Sequence, residues 1–149
     1  MYRATYSYLH SGILNVLEEN LKSIAIIGAG QLGSRHLQGL TKTNQDIRIT
    51  VIDPNHSALE IARRRFDEIT ENPLIQSVAY LDSLEEFDEA VELAIIATNA
   101  DQRRNVIEKL VKNCKVKYLI LEKVVFQSIV DFEVVIPLLK QKGISAWVN

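Results

Sequence analysis

Ser23-Ile24-Ala25-Ile26-Ile27-Gly28-Ala29-Gly30-Gln31-Leu32-Gly33 is the stretch that decides how this 149-residue chain folds. Ile24 to Ile27 form an unbroken apolar run, the pattern of a strand buried on both faces of a parallel sheet. The run ends in Gly28-x-Gly30-x-x-Gly33, and the residues from Gln31 to Lys42 read as a helix. Gly28 allows a tight turn out of the strand, Gly30 lets the backbone come close to a pyrophosphate, and Gly33 lets the helix pack against the sheet. The first turn of that helix has free N–H groups at the positive end of its dipole, which suits phosphate. Gly28, Ala29, Gly30, Gln31, Leu32 and Gly33 are therefore expected to hold the phosphates of a dinucleotide.

A second apolar strand, Ile47 to Ile52, delivers Asp53, twenty residues beyond Gly33. A carboxylate there accepts hydrogen bonds from ribose hydroxyls and repels a 2′-phosphate. A glycine triplet alone is weak evidence; a strand before it, a helix after it and an acid at this distance make a dinucleotide site the expected reading. Pro54 follows the acid and belongs to the same wall of the site. Pro54, Asn55 and His56 stand where a basic cluster would serve a 2′-phosphate, and Arg63, Arg64 and Arg65 lie mostly off the apolar stripe of the next helix as solvated residues. NAD is thus favoured over NADP, and over S-adenosylmethionine, which the full glycine spacing and Asp53 suit less well.

Beyond Asp53 the chain keeps alternating. Asn72-Pro73 ends a helix striped by Leu59, Ala62, Phe66 and Ile69, and Ser77 to Leu81 gives a third strand. The acidic run Ser83 to Glu89 reads as a short surface helix. Leu93 to Ala97 is a fourth strand, and its turn, Thr98-Asn99, leaves the same sheet edge as the glycine turn, within reach of a bound cofactor. Asp101 is expected to cap the helix Gln102 to Asn113, with Cys114 as a core thiol behind it. Lys117 to Leu121 is the fifth strand and ends in Glu122-Lys123 on the cofactor edge. Ser128 to Lys142 is mostly helical, with Pro137 expected to kink or interrupt it, Gly143 caps it, and Ile144 to Val148 is a sixth strand. The expected fold is α/β, a doubly wound parallel six-stranded sheet in order 3-2-1-4-5-6. Residues 1–22 form an added N-terminal extension, in which Ser7 to Asn20 reads as an amphipathic helix packed on its own domain or on a partner.

Composition excludes several classes. Hydrophobic residues at 47% and charged residues at 24% describe an ordinary globular domain, and a net charge of −2 carries no footprint of a nucleic-acid or membrane-surface partner. The single cysteine forms no intrachain disulfide and suits a reducing, cytoplasmic location. Three scattered histidines beside one cysteine do not make a metal site by spacing, and no apolar run reaches the length of a membrane span.

Gly28-x-Gly30-x-x-Gly33-x-x-His36-x-x-x-Leu40, then Asp53, Ala97-Thr98 and Glu122-Lys123, resembles the N-terminal domain of the Gfo/Idh/MocA oxidoreductases, which include glucose-fructose oxidoreductase and inositol dehydrogenase. The resemblance runs from Ser23 to Asn149. It implies a Rossmann domain that binds NAD, and hydride transfer between nicotinamide and a hydroxyl/carbonyl pair of a sugar- or polyol-like substrate. It also implies that Lys123 lies near the nicotinamide and the substrate hydroxyl, where a lysine stabilises charge as hydride moves. The chain departs from the family at Val124, where proline is usual, at Asn99-Ala100 in place of Pro-Asn, and at Arg103, where histidine is common. Family members continue into a second α/β domain that binds substrate, brings a catalytic histidine and builds the oligomer interface. The 149 residues are expected to hold the cofactor domain without that substrate domain, and so to bind NAD without turnover on their own; a homo-oligomer is left open. The competing reading is a stand-alone nucleotide-sensing or protein-interaction module without catalysis.

Overall fold

β1 (Lys22–Ile27), β2 (Ile47–Ile52), β3 (Ile75–Leu81), β4 (Val91–Ile96), β5 (Val116–Leu121) and β6 (Ser145–Val148) pair in parallel as one sheet of order β3-β2-β1-β4-β5-β6 in a computed structural model. The structure describes residues 21–69 and 71–149, so the expected helix over Ser7 to Asn20 lies outside the described residues. Helices α1 (Gln31–Leu40), α2 (His56–Asp67), α3 (Ala100–Asn113) and α4 (Ile129–Lys142) connect the strands. The order expected from the alternating pattern is the one observed. β1 and β4 lie side by side in register, Ile26 against Ile95, while their connections depart in opposite directions. A crevice opens at that reversal, outside the carboxyl ends of the strands.

Period-two alternation divides the core into two layers. Ile24 and Ile26 of β1 join Ile49, Val51, Leu37, Leu59 and Ala62 under α1 and α2. Ala25 and Ile27 face the other way and join Ala94, Ile96, Ile107, Leu110, Leu119 and Val135 under α3 and α4. Cys114 is buried in this second layer, as expected, and its thiol donates to the Phe87 carbonyl at 3.1 Å.

Several local expectations are corrected. Ser83 to Glu89 forms a turn and no helix, because Leu84 and Phe87 are drawn into the core while Lys109 pairs with Glu85. α3 begins at Ala100, so Asn99 is its N-cap and Asp101 sits in the first turn. α4 runs unbroken through Pro137, which is exposed, so water can serve the carbonyl one turn back that the missing N–H leaves free. Gly143 ends that helix in the left-handed conformation, φ 67°, as expected of a glycine cap. On α1 the buried residues are Gly33, Ser34 and Leu37, whereas Leu32 is half exposed. Arg65 is not simply solvated: its Nη1 donates to the buried Ser34 hydroxyl at 2.6 Å and ties α2 to α1.

Candidate functional site

The turn after β1 is shaped by what its glycines lack. Gly28 has φ +101°, and a Cβ there would lie 2.9 Å from the carbonyl carbon and oxygen of Ala97. A Cβ on Gly33 would overlap the Gly28 carbonyl, so α1 can approach the sheet only with glycine at that place. Gly30 differs, for nothing lies within 4 Å of where its Cβ would stand. The backbone at Gly30 therefore faces open space. Ala29 is buried, Gln31 and Leu32 are exposed, and no side chain caps α1. Among the described residues the amides of Gly30, Gln31, Leu32 and Gly33 find no acceptor, the condition in which a helix start receives an anion.

Asp53 stands at the carboxyl end of β2 and is held from two sides. Its Oδ2 accepts the Ala29 amide at 2.6 Å, and its Oδ1 accepts the Asn55 amide at 2.8 Å. A carboxylate has about four lone-pair sites, so two bonds leave acceptor capacity for a ligand hydroxyl. Gly28, Gly30, Asp53, Pro54, Thr98 and Asn99 line one cleft of about 670 Å³, a size within the usual range of small-molecule sites. Thr98 brings a hydroxyl that is buried and has no hydrogen-bond partner. An orphaned hydroxyl, an uncapped helix start and a glycine turn kept clear of side chains fit a diphosphate-bearing dinucleotide such as NAD. Glu85 and Lys109, paired at 2.7 Å, close the far side, and the hydrogen bonds from Lys109 and Ser83 lower the Glu85 carboxyl to about 2. A cavity of about 740 Å³ between the ends of α1 and α2 and the start of β3 lies at the opposite sheet edge and contains none of these groups.

The β5 end is organised separately. Glu122 is buried, and its Oε1 accepts from His36 Nε2 at 2.5 Å and from Asn149 Nδ2 at 2.9 Å. Burial opposes ionisation of Glu122, but the bonds from His36 and Asn149 and the charges of His36 and Arg103 outweigh it, so its carboxyl lies below the usual carboxylate range. An ionised carboxylate only accepts, which places the proton of this pair on His36 Nε2. Lys123 is exposed and lines neither the glycine-turn cleft nor the smaller cleft beside α1 that Leu32, His36, Glu122 and Asn149 share. The peptide bond from Lys123 to Val124 is cis.

Arg103 binds these loops together. It is 2% exposed, in the first turn of α3. Its Nη1 donates to the carbonyls of Glu122, Val124 and Val125, and its Nη2 donates to the carbonyl of Thr98. Sequence reasoning noted Arg103 only as a departure and took His36 for a partly exposed polar residue. A signal was present: Arg103 is in phase with Ile107, Leu110 and Val111, so a cation occupied the buried stripe of α3. Nothing of comparable clarity marks Asn149, whose role depends on where β6 ends.

Among the described residues no group of three or more His, Cys, Asp or Glu is placed to hold a metal ion, and no helix is long and apolar enough to cross a membrane.

Residues 22–149 match a family model described as oxidoreductase family, NAD-binding Rossmann fold. An oxidoreductase from Agrobacterium radiobacter, solved in complex with NAD+, L-tartaric acid and magnesium, shares 18% identity at a TM-score of 0.66, over 86% of this chain and 35% of its own. GenD2 from gentamicin A biosynthesis, solved in complex with NAD, shares 16% at a TM-score of 0.67, over 87% of this chain and 34% of its own. A putative myo-inositol dehydrogenase from Sinorhizobium meliloti 1021 shares 16% at a TM-score of 0.65, over 86% of this chain and 36% of its own. At such identities the likeness is one of fold, and the chain spans about a third of the length of these structures. No curated protein matches the chain by sequence.

Proposed function

The chain belongs to the Gfo/Idh/MocA oxidoreductase family through its NAD-binding Rossmann domain, and from that premise we propose that it is the cofactor domain of an enzyme acting on a sugar or polyol. The observation that carries the cofactor reading is the set of amides from Gly30 to Gly33 that find no acceptor among the described residues, beginning at a turn whose Gly28 and Gly30 line one cleft with Asp53 and Thr98. In this reading Gly28, Ala29, Gly30, Gln31, Leu32 and Gly33 hold the diphosphate, and Asp53 beside Pro54 takes the adenosine ribose. Thr98, Asn99 and the Glu122 loop receive the other nucleotide. NAD, when bound, supplies the hydride acceptor. Lys123 acts on the reacting oxygen, a role that rests on resemblance alone and needs a substrate seated over the β5 edge. The domain is taken to comprise residues 23–149, with 1–22 as an extension.

The polyol class is supported by the family and by the S. meliloti neighbour, whose own description is a putative myo-inositol dehydrogenase. Substrate positioning supplies much of an enzyme's rate, so this domain alone should bind NAD and reduce none of it. Incubating the chain with NAD and myo-inositol tests both halves. Saturable NAD binding without NADH formation is expected. Steady NADH formation contradicts the assignment of substrate binding to another domain, and absence of NAD binding contradicts the cofactor assignment. The second reading, a nucleotide-sensing module, is favoured by the exposure of Lys123 outside both clefts. In a protein uniting this domain with a substrate domain, Lys123→Ala should abolish turnover and spare NAD affinity; unaltered turnover favours the sensor.

A further inference from the structure

We propose that Arg103 is a positioning residue for the nicotinamide half of the cofactor site, locking the loops after β4 and β5 into one unit. The inference rests on the NAD reading above. A guanidinium taken out of water is destabilising unless its N–H groups are satisfied. Here no side-chain carboxylate bonds it. Its Nη1 and Nη2 donate to four main-chain carbonyls, one on the loop after β4, at Thr98, and three on the loop after β5, at Glu122, Val124 and Val125, while its buried Nε has no partner. Two of these carbonyls flank Lys123, so the backbone that presents Lys123 is fixed on both sides. A third belongs to Thr98, a residue of the cleft lining whose buried hydroxyl has no partner.

The two halves of the site have different main anchors, although His36 on α1 also bonds Glu122 at the end of β5 and the Ala97 amide donates to the Ile27 carbonyl. The glycine turn is joined to β2 by the bond from Ala29 to Asp53, which does not involve Arg103. A dinucleotide lies across the crevice with one nucleotide on each side of the reversal point. Asp53 takes the adenosine side at β2, which leaves the nicotinamide nucleotide over the loops that Arg103 holds. Histidine, common at this position in the family, has at most two N–H donors against the five of a guanidinium, and cannot reach all four carbonyls.

Calorimetric titration of the wild-type chain and of Arg103→His with NAD and with ADP-ribose, which lacks the nicotinamide, provides the test. Wild type should bind NAD more tightly than ADP-ribose. Arg103→His should lose at least fivefold in NAD affinity while its ADP-ribose affinity stays within twofold, a selectivity that general destabilisation would not produce. Equal weakening for both ligands, or for neither, overturns the inference, as does a wild-type chain that binds the two equally. Failure of the wild type to bind either ligand refutes the NAD reading itself. Should Arg103→His not fold, amide hydrogen exchange in the wild type decides. NAD, and not ADP-ribose, should slow exchange at Val124 and Val125, and no added protection there overturns the inference.

Discussion

Asp53 reaches from the end of β2 to Ala29 in the neighbouring glycine turn, its carboxylate accepting the Ala29 amide at 2.6 Å. The acid expected to read a ribose is thus also the strut that holds the glycine turn against β2. Asp53→Asn preserves shape and one acceptor but removes the charge. Hydrogen bonds to charged groups contribute about 1.5–3 kcal/mol and neutral ones about 0.5–1.5; one of the two amide bonds is weakened and the other is lost to the side-chain NH2, so a loss of about 2–4 kcal/mol of stability is expected in thermal melts. Removing the charge also removes the repulsion of a 2′-phosphate. Titrations with both nucleotides should show the preference for NAD over NADP shrinking, and an unchanged ratio would exclude Asp53 as its source.

Gly30 and Gly33 should behave oppositely when given a methyl group. Gly33→Ala drives its Cβ into the Gly28 carbonyl, backbone against backbone, and should destabilise by more than about 2 kcal/mol or prevent folding. Gly30→Ala meets no protein atom within 4 Å. It should melt within about 1 kcal/mol of the wild type and still lose at least tenfold in NAD affinity, because the methyl group stands where the diphosphate approaches. Retained affinity in a folded Gly30→Ala chain would contradict the placement of the diphosphate.

These contrasts mark what the sequence made legible. The order of the sheet, the buried faces of β1, β2 and β4 and the glycine turn follow from short-range rules, apolar runs and residues that suit only certain backbone shapes. The bonds from Arg103 to the loop after β5 and the His36–Glu122 pair join residues 19 or more positions apart in the chain, and a local pattern carries no record of which carbonyls a buried donor will meet. The acidic stretch from Ser83 to Glu89 misled for the same reason. Its charges suggested an exposed helix, but Leu84 and Phe87 had a core to fill, and burial decided against helix propensity.

Acid stability should register the His36–Glu122 pair. The folded pKa of Glu122 lies below its unfolded value. Its ionised form therefore adds stability above the unfolded pKa, and that contribution is lost as pH falls through the folded value. Glu122→Gln should cost about 1–3 kcal/mol at neutral pH. The gap between variant and wild-type melts should begin to narrow below the ordinary glutamate value of about 4.3 and close only once the pH has passed below the folded pKa of Glu122, where the wild-type carboxyl also becomes protonated. A gap that persists at the lowest pH would assign the loss to packing instead of charge.

Cys114 should be inert in the folded chain. Burial, followed by the charges of Asp88 and Glu89, raises its thiol to about 11, and the thiolate is the reactive form. Alkylation by iodoacetamide at pH 8 should be at least a hundredfold slower in the native chain than in the denatured one. Rapid native labelling would contradict the burial of this thiol.

The most direct measurement is a crystal structure of this chain grown with NAD. The diphosphate oxygens should lie within hydrogen-bonding distance of the amides from Gly30 to Gly33, with the adenosine ribose hydroxyls on Asp53 and the nicotinamide over the loops after β4 and β5. A nucleotide seated elsewhere, or a glycine turn left without contact to the diphosphate, would contradict the account.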